Sequence, residues 1–143
     1  MFGCSPAGRS SAGLPGEGLN MPFHATRTTD RLSYLTPLER EVLGRYVLRL
    51  SETLGPRLAR TILFGSRARG EGHEESDLDI AVVVRGPERE VYRQVYDLAA
   101  EMDMEYDYGV RLAPLLLSEE TLEDLRGREL AIARAILEEG VPL

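Results

Sequence analysis

Lysine is absent from this chain, cysteine occurs once, and Asn and Gln once each, at Asn20 and Gln94. A lone thiol, Cys4, excludes an intrachain disulfide, and a cysteine-poor chain fits the cytoplasm. The apolar runs are short, such as AVVV and LLL, far below the ~20 residues of a membrane-spanning helix, so no membrane role is expected. A basic excess is missing too. The formal net charge of −7 argues against generic nucleic-acid binding, which needs a basic face to neutralise phosphate. A polyphosphate partner would have to be neutralised by something other than bulk protein charge, and metal ions are the obvious candidates. Apart from the two His, every basic side chain is Arg. Loss of Lys runs against the usual thermophile signal; a GC-rich genome explains it more simply.

What is present suffices for one compact domain: 143 residues, 43% of them apolar. Residues 1–30 read as a disordered tail or leader. They are rich in Gly, Ser and Pro, without apolar periodicity and without the n-region and long h-region of a secretory signal. The folded domain is assigned to 31–143. Thr36-Pro37-Leu38-Glu39 is a capping box with Pro at the first helical position. Leu38, Val42, Leu43, Tyr46, Val47, Leu50 and Leu54 then follow as one apolar helix face, stopped by Gly55-Pro56.

Thr61 to Phe64 reads as a buried strand, and Gly65-Ser66 turns the chain into a short helix ended by Gly70. Residues 71–76 are a polar loop, and Asp77 to Val84 is the clearest strand. A second long helix runs from Glu88 to about Met104, with Val91, Val95, Leu98, Ala99 and Met102 on one face. A third strand spans Val110 to Leu117. Ser118 caps a following helix, and a last helix from about Arg128 to Glu139 is closed by Gly140. The expectation is a small α/β (α+β) domain: a mixed sheet of three or four strands flanked by helices.

The stretch Gly65 to Ile80, GSRARGEGHEESDLDI, carries the chemistry. Gly65 admits backbone dihedrals that a side chain blocks and lets a ligand come close. Ser66 at a helix start offers a hydroxyl beside free amides that favour an anion. Asp77 and Asp79, at i and i+2 of a strand, leave the same face, with Cα atoms roughly 6.5–7 Å apart. Two like carboxylates there repel unless cations lie between them. Oxygen-only ligands select Mg²⁺ or Mn²⁺, and two-metal phosphoryl-transfer sites place their ions ~3.5–4 Å apart. The pattern is a metal–triphosphate clamp. Gly-Ser turns and strand-initial Asp are each common, but the whole spacing arises by chance only on the order of a few times in a thousand chains of this length.

Other residues carry weaker signals. Arg67 and Arg69 flank the turn, and Arg suits phosphate bidentately; Arg69 is the better candidate, and a solvated short helix is the plain alternative. His73, in the loop between the motif halves, is expected to be solvated, as are Glu71, Glu74 and Glu75; His24, in the tail, gets no role. Tyr92, Tyr96, Tyr106 and Tyr108 are expected to pack in the core or at an interface. MDMEYDY, acidic at alternate positions, reads as a helix end rather than a metal site.

GSRARGEGHEESDLDIAVVV resembles the signature of the DNA polymerase β-type nucleotidyltransferases, and more closely the small minimal nucleotidyltransferase (MNT) proteins of bacteria and archaea. The resemblance runs from about Leu38 to Leu143 and includes the closing RAILEEGVPL. It implies a polymerase β-like fold in which Gly65 and Ser66 hold the triphosphate of an NTP, ATP by expectation. Asp77 and Asp79 would be the catalytic pair that binds Mg²⁺ and the nucleotide. The activity implied is transfer of a nucleoside monophosphate to a hydroxyl. The family usually places a third carboxylate on the next strand. Here that strand, VRLAPLLLS, holds no acid: Arg111 or Ala113 occupies the position, and Asp107 substitutes only if the strand starts early.

A chain this small has little left for an acceptor site, so a second copy or another protein is expected to supply it. Small members of the family are often antitoxins paired with a helical HEPN-type toxin, which they can nucleotidylate. The competing expectation is a catalytically degenerate binding module that acts by occluding a partner. A stand-alone enzyme acting on small molecules such as aminoglycosides is disfavoured by the missing acceptor domain.

Overall fold

The computed structural model of the chain describes residues 32–71 and 77–143. The expected tail, His24, His73, Glu74 and Glu75 lie outside the described residues. Helix α1 (Pro37–Leu54) opens on the capping box: Thr36 Oγ1 accepts from the Glu39 amide at 3.1 Å, and Glu39 Oε1 accepts from the Thr36 amide at 2.8 Å. Strand β1 (Leu58–Phe64) follows, then one helical turn, α2 (Ser66–Arg69), ended by Gly70 in the left-handed region. Strand β2 (Leu78–Val84), helix α3 (Tyr92–Glu105) and strand β3 (Leu112–Ser118) come next. Helix α4 (Glu119–Gly127) is capped by the Ser118 hydroxyl, which accepts from the Thr121 amide at 3.0 Å. Helix α5 (Ala131–Leu137) leads into the short strand β4 (Val141–Pro142).

The sheet is mixed and four-stranded, in the order β3-β2-β1-β4. β1 runs antiparallel to β2 and β4, and β2 runs parallel to β3 through the α3 crossover. One face packs on α1 and α3 through Val42, Tyr46, Leu50, Val95, Met102, Ile80 and Val82. The other packs on α4 and α5 through Ile62, Phe64, Ala81, Val83, Leu122 and Ile136. Covered on both faces, β2 is apolar from Ile80 to Val84 without alternation, as buried central strands are. No helix among the described residues is long and apolar enough to cross a membrane.

Two details depart from the sequence reading. The last helix begins at Ala131, not Arg128, because Arg128 to Leu130 form a tight link in which Glu129 adopts φ 57°. Gly140 is not a left-handed cap. A Cβ there would stand 2.3 Å from the Ile136 carbonyl oxygen and 2.4 Å from Ile62 Cγ2, so the residue is small for packing.

Candidate functional site

The site is assembled where β1 ends and β2 begins. Phe64 pairs with Asp79 across the antiparallel ladder, which sets the Gly65 turn directly against the aspartate. Gly65 has φ 82°, and a Cβ built on it would lie 2.5 Å from Asp79 Oδ2. The missing side chain thus makes room first for a carboxylate of the protein itself. Ser66 is the first residue of α2, and the amides of Ala68 and Arg69 return to the Gly65 carbonyl at 3.1 and 3.3 Å. Ser66 thus opens α2, where the first amides of a helix have no carbonyl one turn back within the helix.

Asp77 lies one residue before β2, and Asp79 is its second residue. Alternation along the strand puts both on the face that farther along carries Ala81 and Val83. Burial, and then the charge of Asp77, push the Asp79 carboxyl above the usual aspartate range. This is the repulsion the spacing implies.

The parallel register identifies what β3 presents to the pair. Asp79 lies beside Ala113, and the Leu78 amide donates to the Arg111 carbonyl at 3.0 Å. Ala113 of β3 and Arg111, one residue before the strand, are therefore on the aspartate face, and Arg111 Nε donates to Asp77 Oδ1 at 3.2 Å. Asp107 is not on the strand: it sits at φ 57° in the exposed turn between α3 and β3. A further acid within electrostatic reach of Asp77 is Asp103 of α3, whose Oδ1 accepts from the Leu112 amide at 3.4 Å. Burial chiefly raises its pKa and the Leu112 amide lowers it; Asp77 and Arg111 then push in opposite directions. Helix α3 packs on the opposite face of the sheet from Asp79, however. Sequence reading set MDMEYDY aside as a helix end and missed this proximity, which depends on the α3–β3 turn.

Arg67 is neither a phosphate contact held open nor part of a solvated short helix. It is instead 3% exposed and ion-paired with the equally buried Glu39. The carboxylate that completes the α1 capping box thus also anchors α2, beneath the Gly-Ser turn. Arg69 is half-exposed, its Nε 3.0 Å from Glu71 and its Nη1 3.3 Å from Glu139. Exposed pairs of this kind are weak and leave Arg69 able to exchange to a phosphate. Of the tyrosines, Tyr96 stacks on Tyr92 at 4.5 Å and its hydroxyl accepts from the Leu116 amide. Tyr106 donates to Glu41, while Tyr92 and Tyr108 are exposed rather than packed in the core. A cleft of about 470 Å³ between α4 and α5, lined by Arg126, Leu130, Arg134 and Leu137 among others, includes none of the motif residues.

Among the described residues, no group of three or more His, Cys, Asp or Glu is placed to hold a metal ion by itself. Asp77 and Asp79, two carboxylates on one face, nevertheless fit a hard divalent cation that takes its remaining oxygens from water and a substrate's phosphates, as Mg²⁺ commonly does.

The family described as "Nucleotidyltransferase domain" matches residues 45–140. Two proteins of Methanocaldococcus jannaschii, Putative protein adenylyltransferase MJ1305 and Putative protein adenylyltransferase MJ0141, are each 31% identical over 77 residues. Those matches cover 53% of this chain, 52% of the first relative and 76% of the second, so the chain spans about half the length of the first. A solved structure from Sulfolobus solfataricus, of a "putative nucleotidyltransferase", aligns over 89% of this chain and 88% of its own. It does so at 20% identity and a TM-score of 0.42, a likeness too loose to carry weight. The family match spans about two thirds of the sequence and includes Gly65, Ser66, Asp77 and Asp79; the chain belongs to the nucleotidyltransferase domain family.

Proposed function

We propose that this protein binds ATP with Mg²⁺ at Gly65, Ser66, Asp77 and Asp79, with Arg69 assisting, and transfers AMP to a hydroxyl of a partner protein. The observation that carries the reading is the Gly65–Asp79 juxtaposition, which places a helix start and two carboxylates on one small open face. The names of the M. jannaschii relatives support a protein as acceptor.

In the reaction, the acceptor oxygen attacks the α-phosphorus, the bond to the β-phosphate bridging oxygen breaks, and pyrophosphate leaves. Bound at the aspartates, the ion would neutralise charge on the phosphates. The chain's own part is positioning: the turn amides and the Ser66 hydroxyl hold the triphosphate, and Asp77 and Asp79 fix its orientation. With no acid on β3, the acceptor's proton passes to a group the acceptor brings. Such a protein works in the cytoplasm, as the antitoxin of a helical HEPN-type toxin or as a homo-oligomer whose second copy completes the acceptor site.

Ala113 beside Asp79 favours a second reading. A missing general base is worth about 10²–10⁴-fold in rate, so the chain can bind nucleotide and act by occluding its partner without turnover. Calorimetry with a non-hydrolysable ATP analogue, with and without Mg²⁺, tests the shared part on wild type and Asp79→Ala. Transfer of label from α-labelled ATP to candidate partners then separates the two readings. Binding that needs Mg²⁺ and disappears in the variant supports the site, and no binding under any metal condition rejects it.

A further inference from the structure

Strand β3 brings a cation to the position where the site lacks an acid. Arg111 lies on the aspartate face one residue before the edge strand β3, its Nε 3.2 Å from Asp77 Oδ1, and the two side chains are 65% and 50% exposed. A guanidinium is permanently protonated and has no lone pair to give a metal. Ala113, beside Asp79, contributes only a methyl group. β3 and the residue before it therefore add no metal-ligating side chain and one fixed positive charge, and a second divalent ion would have to settle next to that charge with, among the described residues, only Asp77 and Asp79 to hold both ions. The Arg111–Asp77 pair is exposed, hence weak and exchangeable. A planar guanidinium matches phosphate oxygens bidentately.

We propose that Arg111 is the built-in counter-cation of this site. The site takes a single divalent ion with its nucleotide. Arg111, released from Asp77 when that ion engages the carboxylates, grips the phosphate chain in place of a second ion. The inference rests on the nucleotide-binding reading of Asp77 and Asp79 and assigns the cation arrangement within it.

The test counts Mn²⁺ bound per chain, from the resonance signal of free Mn²⁺, at saturating non-hydrolysable ATP analogue, with affinity for the analogue measured calorimetrically. The proteins are wild type, Arg111→Gln, Arg111→Lys, and Arg111→Gln combined with Ala113→Asp. Wild type is expected to hold one ion per bound nucleotide. Arg111→Gln should lose affinity for the analogue by about tenfold or more, the scale of one charge-assisted contact, while still holding one ion. Arg111→Lys should recover only part of that loss. The double variant, with an acid beside Asp79, should gain a second ion. Two ions in wild type overturn the inference and leave the nucleotide site standing, as does undiminished affinity in Arg111→Gln. Wild type that binds no nucleotide with any metal overturns both, and that result is read before any variant is compared.

Discussion

A Cβ placed on Gly65 would fall 2.5 Å from Asp79 Oδ2. The two residues are fourteen apart in sequence, yet the β1–β2 register brings them together through the Phe64–Asp79 pair. The glycine therefore serves the carboxylate before it serves any ligand.

Gly65→Ala follows directly. The turn has φ 82° and ψ −163°, a region essentially confined to glycine that costs a residue with a Cβ about 1–3 kcal/mol. The obstructed atom is the tip of a side chain, so Asp79 can swing away and the fold survives. The expected result is a modest fall in Tm with loss of metal-dependent nucleotide binding. A double-mutant cycle with Asp79→Ala checks the cause: Gly65→Ala should cost less stability once the carboxylate is gone. Equal costs in both backgrounds would mean that the close approach has no energetic weight.

The buried Arg67–Glu39 pair predicts a larger effect. Glu39→Gln keeps an acceptor for the capping box but leaves the Arg67 charge buried beside a neutral group. Breaking such a pair costs about 3–5 kcal/mol. Replacing both, as Glu39→Gln with Arg67→Met, leaves no buried charge and should cost clearly less than the two single changes added together. Urea denaturation of the four proteins measures the coupling; additive losses would show that each residue acts alone.

The parts legible in sequence were those that local chemistry determines. Thr36, Pro37 and Glu39 announce the start of α1, Gly65-Ser66 and Gly70 bracket α2, and Ile80 to Val84 mark a central strand. Parity along β2 put Asp77 and Asp79 on one face. What stayed hidden depends on residues distant in sequence. Arg67 finds its partner 28 residues away, and nothing near Arg67 distinguishes it from a solvated arginine. Asp107 was a candidate because strand parity was extended back through it, but the left-handed residues Asp107 and Tyr108 break that parity before β3 begins. Asp103 reaches the edge of the site only because that same turn folds α3 back on Leu112.

Gly140 and Gly44 make a paired prediction about helix-flanking and helix-interior glycines. At Gly140 a Cβ would collide with the Ile136 carbonyl and Ile62 Cγ2. The obstruction is partly backbone, so α5 or β4 must shift, at about 1–3 kcal/mol as for other overpacked sites. Gly44, exposed within α1, has nothing within 4 Å of the added atom. Gly44→Ala should therefore stabilise the protein by roughly 0.5–1 kcal/mol through helix propensity. Thermal unfolding of both variants checks the pair. A tolerated Gly140→Ala would show that the β4 end gives way at little cost.

The final prediction concerns pH. Burial and Asp77 raise the Asp79 pKa in the folded protein, so the fold prefers its neutral form. The corresponding stability is fully present below the unfolded aspartate's pKa and is lost as pH rises through the raised native value. Three charges lie around Asp79 unequally: Asp77 opposes its ionisation, Arg111 pairs with Asp77 in the metal-free protein, and Asp103 lies toward the opposite face. Asp79→Asn removes the loss. Without metal, the variant should melt higher than wild type at neutral pH, and the gap should close as pH falls toward about 4, the ordinary carboxylate range. Added Mg²⁺ should act in the reverse sense, raising the wild-type Tm at neutral pH, doing little near pH 4 where protons compete for the carboxylates, and leaving the variant almost unmoved. A metal-free variant that melts lower than wild type at neutral pH would mean that the Asp79 charge is already compensated in the free protein, and the two aspartates would not then be a pair held open for a cation.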